Sequence, residues 1–416
     1  MKIIATRDEV HSRRRATSDT LRRISLLVSV ATMVAGLVPL SSAGASGSHL
    51  RPPASQSRVT TRPGVWRLPT SQSHAPTIPI AGGAAHGQGG FNGVSCPTPS
   101  ECVAVGADDN SGAVVSSSKD GGGTWKRGLT ATGVPTLNAV DCPTSSECVA
   151  VGQGVSVRSL DAGATWKTSS VPTANTSLLG VSCPTPTLCV TVGVSSGIGG
   201  PLAGQLLVTL DGGTTWKAPT VPSSVGALGS VDCPSATFCV AVGASIVVSF
   251  DGGLSWTRRD VSGGTGVLRS VSCVSATSCV AVGPNPIVAQ DSRAAAFEVV
   301  TSNGGLTWNS VPMPAASASV DVVSCSLLAG CRVAGEAIAA DPAVVLKSSD
   351  GRSWSTQVQV AGAVNAVSAL ACPTASDCVY VGRHDTTPVS LKSTNGSGTG
   401  ESPITSIVRS TGGSGQ

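Results

Sequence analysis

The stretch Cys96-Pro97-Thr98-Pro99-Ser100-Glu101-Cys102-Val103-Ala104-Val105-Gly106 decides how the chain is read. Two cysteines stand six positions apart, and a short apolar run follows and stops at a glycine. The phrase returns seven times, as Cys96/Cys102, Cys142/Cys148, Cys183/Cys189, Cys233/Cys239, Cys273/Cys279, Cys325/Cys331 and Cys372/Cys378, and these pairs use all 14 cysteines. Two residues before each first cysteine stands Val94, Val140, Val181, Val231, Val271, Val323 or Leu370. Alternating runs such as Val280-Ala281-Val282-Gly283 follow the second cysteine. Such alternation marks a half-buried strand, so each pair sits at the neck of a β-hairpin. An even, fully paired set reads as seven hairpin disulfides. A metal site would need four ligands brought together, and no histidine recurs at a fixed distance, so no metal is expected. Each bridge closes a ring of about seven residues, worth roughly 2–2.5 kcal/mol in the loop-entropy account.

The chain opens on a targeting signature. Arg13, Arg14, Arg15, Arg22 and Arg23 precede the apolar run 24–40, and Ala43 and Ala45 offer a cleavage site. Residues 1–45 therefore read as a secretory signal. Ser25, Ser29, Gly36 and Pro39 interrupt the run and argue against a membrane anchor. The arginine pairs leave both general and twin-arginine export open. Residues 46–62 read as a linker. Charged residues make up 12% of the chain and the net charge is +4, which points away from nucleic acid and anionic membranes. With 50 glycines and only 3% aromatics, the core is expected to be aliphatic, among many turns.

A second phrase lies between the cysteine pairs. Ser118-Lys119-Asp120-Gly121-Gly122-Gly123-Thr124-Trp125 fits the pattern S-x-D-x-G-x-T-W, and so does Ser159 to Trp166. Thr209 to Trp216 (with Asp211) and Ser249 to Trp256 (with Asp251) fit with conservative swaps. Thr301 to Trp308 carries Asn303 instead of Asp, and Ser348 to Trp354 (with Asp350) is one residue short. A seventh copy, Ser393-Thr394-Asn395-Gly396, never reaches a Trp. The acidic side chain can accept backbone N–H groups just ahead of it, and the glycines supply positive φ. A single recurring carboxylate, as in Asp120 or Asp161, is too few for a calcium loop.

This phrase resembles the Asp box, or bacterial neuraminidase repeat, of the sialidase-like superfamily, and the resemblance spans almost the whole chain after residue 62. It implies an all-β fold: a seven-bladed β-propeller of four-stranded antiparallel blades over residues 63–400, with the box joining the third and fourth strands. Spacings of 46, 41, 50, 40, 52 and 47 residues between first cysteines suit propeller blades. Trp66 precedes the first blade with no box ahead of it, so residues near Trp66 are expected to supply the outer strand of the seventh blade. The competing strand is Ile404 to Val408, in what otherwise reads as a Gly- and Ser-rich tail, 401–416.

From box Trp to next first cysteine the interval is 17 residues in five cases and 18 in the sixth, while second cysteine to Trp varies from 17 to 29. Insertions therefore fall between the second and third strands, on the rim opposite the boxes, where a binding face is expected. Its polar candidates are Asp108, Asp109, Asp291, Arg293, Glu336, Asp341, Arg383, His384 and Asp385, with Glu298 also assigned there. The family includes sialidases, whose F/Y-R-I-P phrase looks like Trp66-Arg67-Leu68-Pro69; a closing strand, matching Trp166-Lys167 and Trp216-Lys217, is the reading preferred for those residues. A sialidase also needs a Tyr–Glu pair. The lone tyrosine, Tyr380, sits at a strand position where other copies have Ala or Thr, as expected of a packing residue. No carboxylate pair stands out for glycoside hydrolysis. The resemblance to non-catalytic propellers of the photosystem II stability/assembly factor kind implies instead a monomeric binding scaffold without cofactor. Its partner is expected to be a protein or glycan at the cell surface, and a sialidase-like glycosidase is the alternative.

Overall fold

The computed structural model describes residues 90–409 except 109–111, 129–132, 173–175, 197–201, 263–265, 285–295, 315–319, 328–329, 336–342, 361–365, 375, 385–386 and 395–405. The signal, the linker and Trp66 lie outside the described residues. Every described element is a strand, and the strands form seven antiparallel blades.

Blade one is β1 (Gly90–Ser95), β2 (Cys102–Ala107), β3 (Ala113–Ser118) and β4 (Lys126–Arg127). Blade two is β5 (Leu137–Asp141), β6 (Cys148–Gly152), β7 (Ser156–Ser159) and β8 (Lys167–Ser169). Blade three has β9 (Thr176–Ser182), β10 (Cys189–Ser196) and β11 (Leu202–Thr209); its outer place is reduced to one bridge, Val208 to Lys217. Blade four is β12 (Leu228–Asp232), β13 (Cys239–Gly243), β14 (Ile246–Ser249) and β15 (Thr257–Arg259). A short β16 (Val261–Ser262) then runs parallel to the outer strand of the next blade. Blade five is β17 (Ser270–Cys273), β18 (Cys279–Pro284), β19 (Ala296–Thr301) and β20 (Trp308–Pro312). Blade six is β21 (Val322–Ser326), β22 (Gly330–Ala334), β23 (Ala343–Ser348) and β24 (Ser355–Val360). Blade seven is β25 (Ala366–Ala371), β26 (Asp377–His384), β27 (Thr387–Thr394) and β28 (Ser406–Arg409).

The place beside Val389–Lys392, assigned from the sequence to residues near Trp66, is taken by β28, with Leu391 opposite Ile407. The competing strand is thus the one observed, and part of the stretch read as a tail belongs to the fold. By pairing with Val389–Lys392, β28 covers the outer edge that β27 would otherwise expose.

All seven disulfides form within their own C-x5-C hairpins: Cys96–Cys102, Cys142–Cys148, Cys183–Cys189, Cys233–Cys239, Cys273–Cys279, Cys325–Cys331 and Cys372–Cys378. Such bridges belong to a chain that folds in an oxidising compartment. Each second cysteine is buried, so these sulfurs are interior packing groups and present no surface site. Two of them depart from the hairpin neck read in the sequence. In blades one to five the second cysteine opens its strand, whereas Cys331 and Cys378 are the second residues of β22 and β26. The reason is backbone pairing: Gly330 already pairs with Ser326, and Asp377 with Thr394, which starts each strand one residue earlier. Cys331 packs in the seam between blades five and six, and Cys378 in the seam between blades six and seven.

The second strands also differ from the half-buried expectation: β6 and β13 are buried on both faces. Each blade is sandwiched, so Val149 and Val151 pack toward blade three while Cys148 and Ala150 pack toward blade one. The core is accordingly seven clusters, one at each interface between neighbours. Phe91, Val94, Val379 and Val381 form the one that joins blade seven to blade one and closes the ring.

The second phrase folds as a turn. Ser118 Oγ donates to Asp120 Oδ1 at 2.8 Å and accepts the Gly122 N–H at 2.8 Å. Asp120 in turn accepts the Thr124 N–H and hydroxyl, both at 2.7 Å. Gly121 and Gly122 hold φ of 67° and 86°, where a side chain would be strained. In blades one to five the turn lies on its own blade's cysteine loop, as where the Gly121 N–H donates to Ser100 O at 2.7 Å. Cysteine loops and turns therefore share one rim. The Trp drives inward against the preceding blade: Trp256 packs with Leu188, Val190 and Val192 of blade three.

Candidate functional site

On the variable rim, the described part of the predicted site lies where blades one and seven meet. Asp108 Oδ1 accepts the Gly112 N–H at 2.8 Å, and the Asp108 N–H donates to Gly112 O at 2.8 Å, so this side chain holds the β2–β3 turn. Arg383 is exposed near the end of β26, followed in that strand by His384. Gly90 links the two: it pairs with Ala107, next to Asp108, and a Cβ built on it would lie 3.8 Å from Arg383 Cβ. Asp109, Asp291, Arg293, Glu336, Asp341 and Asp385 lie outside the described residues.

Glu298 is not on the rim. It points from β19 into the seam with blade six, fully buried, and Trp354 Nε1 donates to its Oε2 at 2.6 Å. The register explains the error. Glu298 stands three residues before Thr301, and the equivalent positions are all buried: Val115, Leu206, Ile246 and Val345, with Ser156 and Ser390 in blades two and seven. In the turns of blades one, two and four the Trp indole bonds to a carbonyl of its own turn, as Trp166 Nε1 does to Gly163 O at 3.0 Å, whereas the buried indole N–H groups of Trp216 and Trp308 make no such bond. The blade-six turn is one residue short, and its indole reaches across to Glu298 instead. Burial pushes this carboxyl up to about 8, only partly opposed by the Trp354 bond, with Asp350 raising it and Arg352 lowering it.

Sequence reasoning missed two other carboxylates. The innermost strand of each blade is a sheet edge, whose N–H groups need acceptors. The residue before each first cysteine supplies one to the next blade. Ser95 Oγ accepts the Cys142 N–H at 3.1 Å, and Asp141 Oδ2 accepts that of Cys183 at 2.7 Å. Ser182, Asp232 and Ser272 repeat this for Cys233, Cys273 and Cys325 at 3.0, 2.6 and 3.0 Å. Burial raises Asp141, and it raises Asp232 to about 7 with help from the Asp141 charge; the backbone N–H bonds oppose both shifts. The signal was visible as Val-Ser-Cys and Val-Asp-Cys, one position from the valines that were read.

The perturbed carboxylates are therefore committed to structure: Asp141 and Asp232 join blades, and Glu298 holds an indole. The turn carboxylates behave oppositely. Burial raises Asp211 slightly, but bonds from the Thr215 hydroxyl and N–H and the Thr209 hydroxyl outweigh it and hold it near 2. Tyr380 is 1% exposed in the core between blades six and seven, as expected of a packing residue. Among the described residues no group of three metal-ligating side chains occurs, and no helix is long and apolar enough to cross a membrane.

No protein-family model matches the chain, and neither does any curated protein. Solved structures do. A structure described as YCF48 bound to D1 peptide superposes with a TM-score of 0.54 at 14% identity, covering 73% of this chain and 93% of that one. YCF48 from Cyanidioschyzon merolae gives 0.52 at 18% identity, covering 74% and 96%. The GH74 xyloglucanase from Xanthomonas campestris gives 0.52 at 15% identity, covering 74% of this chain and 53% of the enzyme. This chain thus spans about half the length of that enzyme. At such identities the likeness is one of fold.

Proposed function

We propose that the chain is an exported, non-catalytic binding propeller of the Asp-box kind, which captures a segment of another protein with the loops between its second and third strands. The observation that carries this reading is the contrast between the rims. The turn-bearing rim is made of cysteine loops of one length and turns of nearly one length, whereas the connections between second and third strands opposite vary, so that second cysteine to Trp spans 17 to 29 residues. A rigid ring with one variable rim is the form of a recognition scaffold. The use of Asp141, Asp232 and Glu298 in holding blades together supports a binding rather than a hydrolytic role. The neighbour solved with a bound peptide shares the fold over 93% of its own length, and a protein segment is the ligand class it suggests. Asp108, Arg383 and His384, at the junction of blades one and seven, are the described residues placed to meet it.

The test pairs a peptide display library with a glycan array on the mature chain. Peptides should bind, and Arg383→Glu should weaken that binding at least tenfold while leaving the circular dichroism spectrum unchanged. Turnover of a fluorogenic sialoside or of xyloglucan would contradict the reading.

A further inference from the structure

The rim opposite the variable loops carries an unexpected row of apolar tips. The residue between the Ser/Thr and the Asp of the turn is Leu160 in blade two, Leu210 in blade three and Phe250 in blade four, exposed by 58%, 61% and 53%. Leu254 and Leu306 add a second tip to blade four and one to blade five, at 47% and 55%. Blades one and six carry Lys119 and Ser349 at the first of these positions.

The tips form one arc. Arg158 of blade two donates to Asp211 O and Thr214 Oγ1 of the blade-three turn, at 3.4 and 3.2 Å. A Cβ on Gly304 of blade five would lie 4.0 Å from the Phe250 ring, so that turn sits against blade four. An arc of this kind on an exported protein is a contact surface.

We propose that this arc is a self-association surface, on which two copies of the chain meet face to face about a two-fold axis. Period and charge both select this occupant. A partner that engages tips on four successive blades needs apolar acceptors at the same spacing, and a second copy carries them. Beside the tips, blades two to four each present one carboxylate and one exposed cation: Asp161 with Lys167, Asp211 with Lys217, Asp251 with Arg258. The arc therefore has no net charge to attract an anionic membrane or a polycation. Opposed in an isologous pair, the carboxylates of one copy can meet the cations of the other.

Sedimentation equilibrium of the mature chain over about 1–200 μM tests this. A mass rising toward twice the monomer is expected, and the double variant Leu210→Asp/Leu254→Asp should weaken association at least tenfold. Both side chains are exposed, so the variant should keep the wild-type circular dichroism and thermal midpoint. Val267→Asp, 51% exposed and beside Gly283 at the far end of β18, should leave association unchanged. A monomeric mass throughout would overturn the proposal. So would a dimer indifferent to the double variant, or a monomer that floats with phosphatidylglycerol vesicles only while Leu210 and Leu254 are intact.

Discussion

Blades one to five and blades six and seven are built from the same phrases, yet they fill their seams differently. In the regular part, the valine after the second cysteine packs under the next blade's turn, as Val103 does under Gly163 and Val149 under Gly213. A complete turn then adds a Trp above it. Where the turn is defective, the neighbouring slot changes too. The short turn of blade six still covers Val280, but its indole meets Glu298, at a position where blades one, three, four and six carry a buried aliphatic residue. Blade seven has no box Trp, and the valine slot facing it from blade six is Arg332, 1% exposed. Blade seven itself places Tyr380 where blades one, two, four and five have alanine, so a large ring returns to that seam. Loss of a repeat element is thus answered locally, by the side chains that would have touched it.

The largest test of that contrast is a pair of Trp deletions. Trp256→Ala in the regular part should cost about 3–5 kcal/mol by chemical denaturation, since the ring is almost fully buried. Trp354→Ala should cost visibly less, because Trp354 is only half-buried, while leaving a buried carboxyl without its donor. Equal costs would show that the short turn had not altered the seam.

Glu298→Gln should act next most strongly, and only at high pH. The folded carboxyl titrates at about 8, above an unfolded value of about 4.3. Its contribution to stability is therefore complete below about pH 4 and lost as pH rises through about 8. Glutamine keeps an acceptor for the Trp354 indole and cannot ionise. It should gain about 1–3 kcal/mol over wild type at pH 9 after the cost of burying its amide. A variant whose stability falls in parallel with wild type between pH 5 and 9 would contradict this assignment.

The smallest effect lies in the turns. Asp211 titrates near 2, below its unfolded value of about 3.9, so its contribution is present above about pH 4 and disappears as pH falls through about 2. Asp211→Asn should remove that acid-dependent slope and cost well under about 1 kcal/mol at neutral pH, because the group is exposed. Asn303 is a natural instance: its Oδ1 accepts the Thr307 N–H at 3.0 Å and its amide donates to the Thr307 hydroxyl at 2.8 Å.

The hairpins and turns were legible because their causes are local: a cysteine pair six apart, or a carboxylate four before the residue it binds. The residues that join blades were not. Ser95, Asp141 and Asp232 act on the following blade, over 40 residues away in sequence. Glu298 read as a rim charge because its register was not counted back from Thr301. The outer strand of blade seven had two candidates of similar apolar content, Val65-Trp66 and Ile404–Val408, and strand pairing rather than composition separates them. The rim that would carry function was legible only as variation in length, since loop chemistry has no periodicity to betray it.

The central claim is that each blade is completed by its own strands, with the ring held by side chains at the seams rather than by an exchanged terminal strand. Thermal melting of two truncated chains tests it most directly, one ending at residue 400 and one beginning at residue 71. The account predicts that the first loses β28, exposes the edge of β27 and melts well below the full chain, by about 4 °C or more. The second should keep the full chain's midpoint. A chain beginning at residue 71 that melts early or aggregates, beside an unharmed chain ending at 400, would contradict it and return ring closure to the strand near Trp66.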